Sequence, residues 1–247
     1  MTATRLANRA VIRVSPRDPS ENGSAFLQGL VTNDVRAERL AQGPVYAALL
    51  TAQGKAMFDF LVWGDGADVL LDCEACAADD LAKRLGLYRL RRAIDIARDE
   101  TLAVHWSAQP REGAAADPRL AALGWRWLAP ANDGEEGADE AWLAHRLAHG
   151  VPEGQGELGD ILWLETNAVE LHGVSFDKGC YVGQENTARM NWRQKVNRRL
   201  VVVDLERSQE KRRKAAYPAL GKAVDHLRVD DLDPATLPDW QAAGVSA

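Results

Sequence analysis

The chain has 247 residues, 46% of them hydrophobic and 27% charged, which is enough to bury a sizeable core and excludes disordered, collagen-like and coiled-coil proteins. A formal net charge of -6 argues against a dedicated nucleic-acid binder, although an acidic body can carry a local basic patch. No apolar run approaches the roughly 18 residues of a membrane span, the three cysteines do not make a disulfide scaffold, and no export signal opens the chain, so a cytoplasmic protein is expected.

The opening third alternates strand and turn signals. "AVIRV" at 10–14 reads as a strand and the polar cluster from Pro16 to Gly23 as a loop, followed by a short amphipathic helix from Ala25 to Val31. "VYAALLT" and "MFDFLVW" are strands joined by "AQGK", a hairpin with a longer loop. Period-two alternation puts Phe58, Phe60 and Val62 on one face and Met57, Asp59, Leu61 and Trp63 on the other, so Asp59 interrupts an apolar face. Leu81, Leu85 and Tyr88 recur at helical spacing, and that helix ends in the basic run Arg89, Arg91, Arg92.

Further strands are expected at "AIDIA", "LAVHW" and "LGWRWLA", with loops at Ser107–Asp117 and Pro130–Gly137. A helix from Asp139 to His149 stops at Gly150. From Asn197 "RRLVVVDL" is a strand, and the charged segment after it shows few strand signals. Strands and helices mix without strict alternation, and no glycine-rich dinucleotide fingerprint follows a strand, so the class is α+β.

"DKGCYVGQENTAR", Asp177 to Arg189, is the stretch that carries chemistry. Gly179 and Gly183 allow tight turns or a close backbone approach around Cys180. A helix starting near Gly183 and the charge of Lys178 would both lower the thiol pKa, while Asp177 and Glu185 oppose them. A small buried cysteine is the plainer alternative. "CEAC" at 73–76 lacks the second pair of a metal site and the surroundings of a redox motif, and three cysteines cannot alone supply the about four thiolates of an iron–sulfur cluster. Any cluster contact would be shared with a partner.

"KGCYVGQE" resembles the signature of the YgfZ family, folate-binding relatives of the glycine-cleavage T-protein that include mitochondrial iron–sulfur assembly factors. "FLQGLVTNDV", "TAQGKAMFDFLVW", "LYRLRRAIDI", "LETNAVELHGVSFDKGCYVGQE" and "VNRRLVVV" resemble that family in its order. The resemblance implies two interleaved ferredoxin-like α+β domains around a central folate pocket, followed by a β-barrel that looks reduced here. The expected divisions are residues 1–105, 106–195 and 196–247.

The resemblance also implies a tetrahydrofolate-binding accessory role in making or repairing four-iron clusters. Cys180 acts through its thiol, as a redox group or transient cluster ligand, and no metal is stably bound. Partners would be iron–sulfur assembly proteins or enzymes, with no membrane and no nucleic acid. A pterin edge needs a carboxylate acceptor and a glutamate tail needs basic groups. Asp59 and Glu165 fall where the T-protein places functional carboxylates, Arg199 is assigned to the tail, and Lys178, Tyr181, Gln184 and Glu185 complete the expected folate contacts. Two alternatives are a folate-dependent aminomethyl or one-carbon transferase, and RNA recognition through Arg89, Arg91 and Arg92.

Overall fold

Short apolar runs interrupted by single charged residues make strands buried on both faces, and this pattern builds the first sheet. The computed structural model describes residues 3–132, 134–193 and 196–245. The reading of the chain start and the division placed at 195 therefore rest partly on residues outside the described ones. The first half runs β1 (Arg9–Pro16), α1 (Gly23–Gln28), α2 (Ala37–Leu40), β2 (Val45–Leu50), β3 (Ala56–Asp65), β4 (Asp68–Glu74), α3 (Ala78–Arg89), β5 (Ile94–Arg98) and β6 (Leu102–Ser107). The second runs β7 (Ala115–Ala116), β8 (Trp125–Pro130), α4 (Asp139–Ala148), α5 (Gln155–Leu158), α6 (Gln184–Arg193), β9 (Arg198–Asp204), β10 (Arg213–Tyr217), β11 (Lys222–Arg228) and α7 (Asp239–Val245).

β2-β3-β4-β1-β5 form an antiparallel sheet that separates two cores. On one face Ile12, Val14, Phe58, Phe60 and Val62 pack with Phe26 and Leu27 of α1 and Leu81 and Leu85 of α3. On the other, Val11, Tyr46, Leu61 and Leu70 pack with Trp106, Trp142 and Trp163. Asp59 faces this second core, and so do Arg9 and Asp72 by strand parity. The Leu61–Asp72 and Val11–Asp72 register sets the aspartate between flanking strands, where a charge must find partners.

A second sheet, β6-β8-β7, closes the core from the far side. The expected loop Ser107–Asp117 contains β7, a two-residue strand too short to leave a pattern. α4 ends at Gly150, whose φ of +74° is the left-handed stop expected there.

The C-terminal region holds more strand than its composition suggested. β10-β11-β9 form an antiparallel sheet, with Val224 and Leu200 buried. "RKAAY" and "KAVDHLR" escape detection because charged residues confine their apolar stretches to a few residues, which reads as a charged linker. α7 then folds back: Trp240 Nε1 donates to the His149 carbonyl at 2.9 Å and Gln241 Nε2 to that of Leu200 at 2.7 Å.

Candidate functional site: the Cys180 loop and the buried charge cluster

Cys180 is exposed on the loop before α6, and its neighbours hold that loop in place. Lys178 turns inward, where Nζ donates to the carbonyl of Gln28 at 2.7 Å and also to that of Val31. Its ammonium lies 5.1 Å from the centre of the Tyr181 ring. Burial pulls the Lys178 ammonium down to about 8. Lysine in "KGC" is thus a clamp onto the end of α1, and its charge is spent on backbone carbonyls. Tyr181 is buried, which pushes its hydroxyl up to about 12.

Gly183 meets the β2–β3 hairpin backbone to backbone. It has φ +82°, and a Cβ there would stand 2.5 Å from the Thr51 carbonyl oxygen and 3.1 Å from Gly54 Cα. Asn186 Nδ2 donates to the Gln53 carbonyl at 2.8 Å, which fastens α6 to the same hairpin. Gly179 is different, since a Cβ there meets nothing within 4 Å. The close approach foreseen for both glycines belongs to Gly183 alone. Beyond the loop, Trp192 is 74% exposed and its ring lies 6.3 Å from that of Phe176.

The remaining expected contacts do not gather round the loop. Gln184 and Glu185 open α6; Glu185 is exposed and pairs with Arg189 at 3.0 Å. Glu165 and His226 Nε2 are hydrogen-bonded at 2.9 Å, facing β11. Arg199 is buried, donating to Glu170 at 2.8 Å and to the carbonyls of Leu164 and Gly244 at 3.3 and 3.1 Å. Asp59 lies in the sheet core, where it accepts from the Gly154 amide at 3.2 Å and the Tyr46 hydroxyl at 3.4 Å.

Around Asp59 is a cluster of charges that sequence reading missed. Four guanidiniums, Arg9, Arg119, Arg126 and Arg146, meet four carboxylates, Asp72, Asp117, Glu153 and Glu157. Arg126 bridges Asp72, Asp117 and Glu153 at 2.8, 3.2 and 3.3 Å. Burial opposes the Glu153 charge, yet Arg9, Arg119 and Arg126 together hold its carboxyl well below the usual range. With those charges matched, Asp59 is the carboxylate left over. Burial raises it to about 6 against the pull of Arg9, with Glu153 adding to the rise. A visible sequence signal exists: single charges inside apolar strands, as in "LLDC" and "WRW".

A cavity of about 290 Å³ opens beside this cluster, lined among others by Arg9, Glu74, Cys76, Trp142, Arg146 and Glu153. Cys73 is buried, its thiol pushed up to about 12, whereas Cys76 is exposed. Of the basic run, Arg89 donates to the Ile94 carbonyl at 3.2 Å and Arg92 pairs with Glu21 at 2.8 Å, which leaves little of it for a polyanion. Among the described residues no three His, Cys, Asp or Glu side chains are placed to hold a metal ion, and no helix is long and apolar enough to cross a membrane.

No protein-family model matches the chain. The fold is that of the T-protein class: the glycine cleavage system aminomethyltransferase T from Bartonella henselae superposes with a TM-score of 0.64 at 11% identity, over 92% of this chain and 78% of that one. Within that class the curated relatives are more specific. The mitochondrial iron–sulfur cluster assembly factors IBA57 of Homo sapiens and Mus musculus are 35% and 33% identical, over 81% and 83% of this chain. The Neurospora crassa homolog is 31% identical over 80% of it. The chain spans 65%, 66% and 52% of those relatives' own lengths. These homologues support the YgfZ-family resemblance read from the sequence. The cytoplasmic expectation is corrected by the same names, since these relatives are mitochondrial and point to that compartment instead.

Proposed function

We propose that the chain is an accessory factor in iron–sulfur cluster assembly or repair that works through the thiol of Cys180. One observation carries this reading: an exposed thiol stands between two buried residues, Lys178 and Tyr181, on a loop fixed to α1 and to the β2–β3 hairpin. A thiol presented in this way can lose its proton and bind iron of a cluster carried in from outside, with its position set in advance and its approach unobstructed. Because a cluster takes about four ligands, the others must come from the protein that brings or receives it. The relatives' names as assembly factors support the same role.

Tetrahydrofolate forms no step of this proposal. Asp59, Glu165 and Arg199 are bonded to different protein partners, and neither Asp59, Glu165 nor Arg199 lines the cavity beside the charge cluster.

The test is Cys180→Ser in cells depleted of the native protein. Four-iron enzymes are expected to lose activity while the purified variant melts like wild type. Normal four-iron enzyme activity with the serine protein alone would overturn the proposal.

A further inference from the structure

The turn that leaves α3 holds a leucine in a conformation that leucine avoids. Leu90 has φ 52° and ψ -111°, and across it the Arg92 amide donates to the Arg89 carbonyl at 3.0 Å. This is the geometry of a type II′ turn with Leu90 at its first central position, a place that favours glycine because a Cβ crowds the backbone there.

The surroundings hold that conformation from several directions. Glu21 accepts from Arg92 Nε at 2.9 Å and from the Ala93 amide at 3.2 Å. The Arg17 amide donates to the Ala93 carbonyl at 2.8 Å, and the Arg92 guanidinium lies 5.4 Å from the Phe26 ring centre. None of these contacts uses the leucine side chain, which is 86% exposed; Leu87, one turn earlier, is 62% exposed. A strained residue that its neighbours hold fast, and whose side chain does nothing inside the fold, marks a position kept for an outside contact.

The charges beside it give the contact a sign. Helical spacing sets Lys83 and Leu87 on one outward face of α3, and Arg91 follows Leu90 directly. Among the described residues neither the Lys83 nor the Arg91 side chain has an ion-pair or hydrogen-bond partner, on a chain whose formal net charge is -6.

We propose that this end of α3 is a docking knob for an acidic partner protein. Leu90 and Leu87 enter an apolar recess of the partner, and Lys83 and Arg91 meet carboxylates at its rim. A lipid surface fits less well, because two leucines on a rigid turn bury little in a bilayer and the acidic body is repelled by anionic headgroups. The proposal does not depend on the role of Cys180, since the knob and the thiol share no residue.

To test it, benzoylphenylalanine replaces Leu87 in the full-length chain, the cells are irradiated, and the adduct is identified. The captured protein is then purified and titrated with wild type, Leu90→Gly and Arg91→Glu. Each variant is expected to weaken binding by about tenfold or more, and Leu90→Gly is expected to melt at or above wild type, since glycine suits the turn. No protein adduct, or a captured protein that binds Leu90→Gly as tightly as wild type, would overturn the proposal. So would a Leu90→Gly variant that melts below wild type, because the side chain would then serve the fold. Flotation of wild type with phosphatidylglycerol vesicles, lost in Leu90→Gly, would replace the protein partner by a membrane.

Discussion

Lys178 Nζ donates to the carbonyl of Gln28 at 2.7 Å, and through this contact the cysteine loop is tied to the end of α1. Lys178→Met keeps the side chain's length and removes the donor, which leaves the buried Val31 carbonyl and the half-buried Gln28 carbonyl without it. We expect a loss of about 1–3 kcal/mol in urea unfolding, with faster hydrogen exchange at amides 178–183. The pH dependence has a definite sign. Burial lowers this lysine from 10.5 to about 8, so the unfolded chain holds the extra proton between those values. Wild-type stability therefore gains from this group as pH rises through that window, and Lys178→Met lacks the gain.

The two glycines of the motif are expected to behave oppositely. Gly183→Ala places a Cβ 2.5 Å from the Thr51 carbonyl at a φ of +82°, and we expect it to cost about 2–4 kcal/mol. Gly179→Ala meets nothing within 4 Å and should change stability by less than about 0.5 kcal/mol. Paired urea titrations decide the matter, and equal losses would contradict the packing described for the hairpin.

Asp59→Asn removes the unmatched carboxylate from the charge cluster. The folded pKa is about 6 against an ordinary 3.8, so the buried charge penalises the native state at neutral pH and not at pH 3. That difference corresponds to about 3 kcal/mol, and the variant should exceed wild type by up to that amount above pH 7. The advantage should shrink steadily as pH falls from 6 to below 4. Thermal melts across pH 3.5–8 give the comparison; an asparagine variant whose difference from wild type is the same at every pH would show that burying the Asp59 charge costs the fold nothing.

Four strands of the first sheet, β1, β2, β3 and β5, were legible from short apolar runs or period-two alternation, and α3 and α4 from long apolar stripes, whereas β4, Asp68–Glu74, was not foreseen. Cys180 stood out in the sequence by its neighbours, and the structure leaves it exposed. What Lys178 does was not legible, because a lysine beside a cysteine reads as a local charge, and only the fold turns it toward residues 28 and 31. Arg119 and Arg126 were missed for a similar reason. An arginine in a loop, as Arg119, or in a strand, as Arg126, is ordinarily solvent-facing, and the burial of both depends on Glu153 arriving from another segment, joined at Arg126 by Asp72. β10 and β11 lacked an apolar face long enough to register.

The place where Gly183 lies against Thr51 and Gly54 also orders events during synthesis. The loop is assembled from residues near 28, near 53 and near 180, so a ribosome-bound or partly unfolded chain cannot hold the thiol where the finished fold does. Contacts so distant in sequence form late in folding. An incomplete molecule therefore has the cysteine but not the platform that holds it in place.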